Sequence, residues 1–86
     1  MTKPFQMTFD QQGTFAALYA AQDWLTMNGY SYSSTSAMGP VGILKGDYSI
    51  AKWHNLTRKE RAELDGTLDG NFREGPLVLR LKEPPQ

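Results

Sequence analysis

The segment from Leu56 to Lys82, LTRKERAELDGTLDGNFREGPLVLRLK, constrains the fold more tightly than any other part of the chain. Thr57 and Glu60 stand in the T-x-x-E spacing in which the hydroxyl accepts from the backbone N–H of Glu60 and the carboxylate accepts from that of Thr57. That reciprocal pair predicts a helix over residues 58–65, stopped by Gly66. Leu77, Leu79 and Leu81 alternate with Val78, Arg80 and Lys82, so residues 77–82 are predicted as a strand with one wholly apolar face. The apolar face of this strand demands a partner layer, so a packed α and β structure is expected.

The rest of the chain supplies that layer. Phe5, Met7 and Phe9 alternate with Gln6 and Thr8, predicting a strand over 4–9 with Pro4 at its start. Between Gly13 and Asn28, Ala17, Ala21, Trp24 and Leu25 share one face at about 100° per residue, which predicts an amphipathic helix that Asn28-Gly29 ends. Tyr30 and Tyr32 suggest a short strand, and SSTSAMGP a polar turn. Val41–Lys45 and Tyr48–Trp53 flank Gly46-Asp47 and are expected to pair as a hairpin, while a loop is expected from Leu68-Asp69-Gly70 to Gly75-Pro76. The expected fold is a single α+β domain over residues 1–86. Its elements follow the order β-α-β-β-β-α-β, two helices pack on one face of a small antiparallel sheet of four or five strands, and a frayed tail begins near residue 83. The expected core contains Phe5, Phe9, Trp24, Ile43, Ile50, Leu77, Leu79 and Leu81.

Nine basic and nine acidic side chains cancel, so no net field draws the molecule to a nucleic-acid backbone or an anionic membrane. An 86-residue chain buries only about 60% of its unfolded surface, which disfavours a deep, dry catalytic cavity. With no cysteine there is no disulfide framework, thiolate nucleophile or thiolate metal site. No apolar run approaches the roughly 20 residues needed to span a bilayer, and MTKPFQMTFD lacks the apolar core of a signal peptide. A soluble cytoplasmic protein without membrane association is expected.

Candidate catalytic groups are sparse. His54, the single histidine, lies between Trp53 and Asn55 with no Ser, Asp or Glu in a recognisable constellation. Asp65, Thr67 and Asp69 alternate as in a calcium loop, but the twelfth position is Pro76 and lacks the bidentate carboxylate. GPVGILKGD has glycines near a lysine without the order that places Lys and a hydroxyl on phosphates. Neither an enzyme activity, a metal site nor a cofactor is expected.

Binding surfaces are better represented. Phe15 and Tyr19, four residues apart, fall away from the Ala/Trp/Leu stripe of the first helix, and Tyr30 and Tyr32 follow in a Tyr/Ser-rich stretch suited to adaptable recognition. These four are the expected protein-binding residues, unless a sheet or loop wraps over Phe15 and Tyr19 and the Tyr30–Ser36 segment is simply a mobile loop. The alternative is a single-stranded nucleic-acid binder in which Lys52, Arg58, Lys59 and Arg61 meet the backbone and Trp53 offers a stacking platform. A homodimer through an exposed sheet edge is a further possibility.

The run GILKGDYSIAKWHNLTRKERAELDGTLDGNFREGPLVLRL, with GDY, AKW, NLT, LDG and REGP in order, resembles small, mostly uncharacterised accessory proteins of bacteriophages and prophages. The resemblance spans the second half of the chain. It implies a phage protein made in the cytoplasm of a bacterial host cell, of a kind whose small members commonly act as inhibitors by binding and blocking a host or defence protein. It carries no catalytic residue.

Overall fold

A computed structural model describes residues 3–32, 41–46 and 48–85. The elements run β1 (Phe5–Phe9), α1 (Ala16–Met27), β2 (Tyr30–Tyr32), β3 (Val41–Lys45), α2 (Ile50–His54), α3 (Arg58–Ala62), β4 (Gly66–Gly70) and β5 (Leu77–Leu81). The five strands form one antiparallel sheet in the order β1-β5-β4-β3-β2, an α+β fold with β1 and β2 at its edges.

Register divides the side chains between two faces. Leu81, Leu79 and Leu77 stand opposite Phe5, Met7 and Phe9, and Leu68 opposite Leu79, so these residues share the first face with Ile43. α1 crosses that face and packs against β1, β5 and β2. Ala17, Ala21 and Leu25 of α1 join Phe9, Ile43, Leu68, Phe72 and the three β5 leucines in one buried cluster. Small Ala17 and Ala21 allow the helix to approach the sheet closely. Near the last turn of α1, Trp24 stacks on Phe5 at 5.6 Å and lies parallel to Tyr30 at 6.5 Å, so one aromatic row ties the two edge strands together.

The expected core positions Phe9, Ile43, Leu77, Leu79 and Leu81 are buried, and Phe5 and Trp24 pack against the cluster half-exposed. The core place expected for Ile50 and the polar turn at 33–40 lie outside the described side chains and residues.

The middle of the chain departs from the expected order. Residues 50–54 form a helix and not a strand, so no hairpin pairs them with β3; the neighbours of β3 are β2 and β4. The Ser49 hydroxyl accepts from the N–H of Lys52 and caps this turn. The Thr57–Glu60 capping box forms as expected, but α3 ends at Ala62, and Gly66 opens β4. Leu68-Asp69-Gly70 is a strand and not a loop. Leu64, two residues after α3, packs over Gly42, whose side belongs to the second face of the sheet, opposite α1. Leu44, on the same side of β3 as Gly42, and Trp53 are buried outside the main cluster.

Asp65 anchors this return. Its N–H donates to the Ile43 carbonyl at 2.7 Å, its carboxylate accepts from the N–H of Lys45 at 2.5 Å, and its carbonyl accepts from that of Lys82 at 2.7 Å. One residue thereby joins the ends of β3 and β5 and delivers the chain into β4.

Candidate functional site

The head of α1 carries the least ordinary backbone among the described residues. Phe15 has φ 61° and ψ 7°, in the left-handed region that Cβ sterics close to most side chains. Phe15 is the one non-glycine there among the described residues. Its N–H donates to the Arg73 carbonyl at 2.9 Å, and its carbonyl accepts from the N–H of Tyr19 at 3.0 Å. No side chain caps the helix, so the contact to residue 73 takes the place of a cap.

The connection between β4 and β5 is built to make that contact. Asn71 Oδ1 accepts from the N–H groups of Arg73 and Glu74 at 3.0 and 3.2 Å, closing a tight turn. Phe72 is buried in the core, and Gly75, at φ 66°, lets the chain pass Ala17 so closely that an added Cβ would lie 3.1 Å from the alanine methyl. Between this connection and the β1–α1 loop lies a polar cleft of about 550 Å³, lined by Asp10, Gln12 and Thr14 on one side and Arg73 and Glu74 on the other.

Phe15 and Tyr19 come together, their rings tilted at 6.3 Å. Phe15 is half-buried, whereas Tyr19 is 58% exposed. Met27, on the same outer side of α1 two turns on, is 85% exposed, and it is the residue of this face that the sequence reading missed. An i, i+4, i+8, i+12 run from position 15 through 19 and 23 to 27 marks the stripe, but exposed Asp23 interrupts its apolar pattern.

Tyr30 and Tyr32 do not belong to this patch. They follow the far end of α1, a helix about 18 Å long, and pack half-buried against the core. Burial, with Asp65 and Glu83 nearby, holds the Tyr30 phenol above its ordinary pKa. Burial, and less so Asp23, raises that of Tyr32 further, and the Tyr32 hydroxyl is buried without a hydrogen-bond partner among the described residues. These rings serve the frame.

The basic segment is also rearranged. Trp53 is only 7% exposed, which removes the stacking platform expected of it. Lys52 Nζ lies 4.4 Å from the centre of the Tyr48 ring, a cation–π contact, while Arg58, Lys59 and Arg61 are exposed around α3. The side chain of His54 lies outside those described. Of the would-be calcium ligands, Asp65 accepts from Lys45 and Asp69 pairs with Arg80 at 2.5 Å. Among the described residues no three His, Cys, Asp or Glu side chains converge, and no helix is long and apolar enough to cross a membrane.

No protein-family model, curated protein or solved structure matches the chain.

Proposed function

We propose that this chain is a non-catalytic protein-binding module whose recognition surface is the outer side of α1, centred on Phe15 and Tyr19 and extended by Met27. The carrying observation is Phe15: a bulky aromatic residue at φ 61° where glycine would sit without strain. Such strain persists only where the surroundings over-determine it, and it marks sites where a side chain is held for a purpose. Here the docked β4–β5 connection holds it beside an exposed tyrosine, and rigid aromatic anchors of this kind bind at low entropic cost. The polar cleft between the β1–α1 loop and the β4–β5 connection adds charged groups of both signs near the head of α1.

The resemblance to phage accessory proteins supplies the partner class, a bacterial host or defence protein that the module binds and blocks in the bacterial cytoplasm. Affinity purification of the tagged chain from bacterial lysate tests this, with Tyr19→Asp and Lys59→Glu run beside it. A stoichiometric protein retained by wild type and Lys59→Glu and lost with Tyr19→Asp is expected. Recovery indifferent to Tyr19, or lost only with Lys59→Glu, would overturn the assignment of the surface.

A further inference from the structure

β1 is an open edge. Among the described residues, no backbone hydrogen bond outside its ladder with β5 involves residues 5–9, so the outward N–H and C=O groups of a five-residue strand are unpaired. Edge strands ordinarily carry a charge, a proline or a bulge that blocks pairing with another chain. Phe5-Gln6-Met7-Thr8-Phe9 carries neither charge nor proline, whereas the opposite edge, β2, has only three residues.

The segment is also complementary to itself. Read outward from Met7, Gln6 answers Thr8 and Phe5 answers Phe9, and beyond them Pro4 answers Asp10 and Lys3 answers Gln11. Antiparallel pairing of two copies about a two-fold axis through Met7 puts Phe5 opposite Phe9 of the second copy, Gln6 opposite Thr8, and Met7 opposite itself. Residues of the first face then meet residues of the first face, as an isologous interface requires. The exposed side chains of Gln6 and Thr8 leave the second face clear at the join.

We propose that β1 is a homodimerisation edge that joins two copies of this chain into one continuous ten-stranded antiparallel sheet. The pairing leaves the outer side of α1 free and makes the binding module bivalent.

Light scattering behind size exclusion, read against protein concentration, tests the pairing on the intact chain. The expected result is a species of twice 9.7 kDa that dissociates on dilution. Gln6→Lys/Thr8→Lys places lysine opposite lysine twice and is expected to raise the dissociation constant by about tenfold or more. Because the chain has no cysteine, Met7→Cys provides a single thiol that meets its own copy across the axis. Opposed Cβ atoms there are about 4.5–5.5 Å apart, close enough for a disulfide after small adjustment, so oxidation is expected to crosslink this variant and to leave Thr8→Cys monomeric under reducing-free denaturing electrophoresis. A wild-type monomer at all concentrations, or a dimer indifferent to the double lysine variant, overturns the proposal. So does a Thr8→Cys crosslink as strong as that of Met7→Cys.

Discussion

Replacing Phe15 by glycine and by alanine separates the backbone of that position from its ring. Both variants delete the same side chain and its contact with Tyr19, so their difference reports the conformation alone. At φ 61° an L-residue carries about 1–2 kcal/mol of steric cost that glycine does not. Glycine in turn loses more freedom on folding, about 0.5–1 kcal/mol relative to alanine. The balance leaves Phe15→Gly more stable than Phe15→Ala by about 0.5–1 kcal/mol, equivalent to about 3–6 °C in a domain of this size. At an ordinary helix position the order is the reverse. Urea denaturation with equal slopes for the two variants measures the difference. An alanine variant as stable as the glycine variant, or more so, refutes the claim that the chain holds residue 15 under strain. Both variants are expected to lose the partner, and in Phe15→Gly that loss accompanies an intact fold.

Four other perturbations probe the frame. A Cβ on Gly66 would lie 2.1 Å from the Arg80 carbonyl oxygen, whereas one on Gly42 would meet the mobile end of Leu64 at 2.7 Å. Gly66→Ala is therefore expected to cost about 3 kcal/mol and Gly42→Ala about 1 kcal/mol, and similar urea midpoints for the two would contradict the packing. Tyr32→Phe removes a buried hydroxyl that has no partner among the described residues and is expected to stabilise the fold by about 1 kcal/mol, with an unchanged or lower thermal midpoint as the contrary result. The raised phenols of Tyr30 and Tyr32 mean that the unfolded chain releases their protons near pH ~10 while the folded chain retains them, so stability is full below that pH and falls above it. A urea midpoint that does not decline between pH 9 and 11 contradicts this. Thr57→Ala removes the hydroxyl half of the capping box, the acceptor for the N–H of Glu60, and is expected to cost about 1 kcal/mol, read from the same denaturation curves.

What the sequence made legible follows from how local each instruction is. Thr57 and Glu60 act on each other across one helical turn, and the box forms as read. The alternating leucines of β5 need only a partner layer, and their burial matches the alternation. Asn28-Gly29 ends α1 for the same local reason, with Gly29 at φ 80°. The misread elements are those decided by distant neighbours. Tyr48, Ile50 and Trp53 have the composition of a strand, yet Ser49 starts a helical turn without the acidic residue that completes the usual signature. Gly66 and Gly70 look like turn residues, but β4 needs them because the carbonyls of Arg80 and Pro76 in the neighbouring chain leave no room for a Cβ.

The candidate site was half legible. The placement of Phe15 and Tyr19 off the apolar stripe of α1 was visible in their spacing, and the structure brings their rings together. Their separation from Tyr30 and Tyr32 was not, because it depends on the sheet drawing the latter pair toward Trp24 and the core. Nothing in the residue type announces the left-handed backbone of Phe15, since phenylalanine is disfavoured there; the Arg73 carbonyl that holds it lies 58 positions away in the chain. Met27 shares the stripe at three helical repeats of four from position 15, a signal that exposed Asp23 obscured.

Hydrogen–deuterium exchange of the isolated protein and of its purified complex with the captured partner tests the central claim most directly. The recognition surface proposed here predicts slowed exchange along residues 15–27 and in the adjoining 71–75 connection, with residues 52–61 unchanged. Protection confined to 52–61, with α1 exchanging as in the free protein, would contradict it.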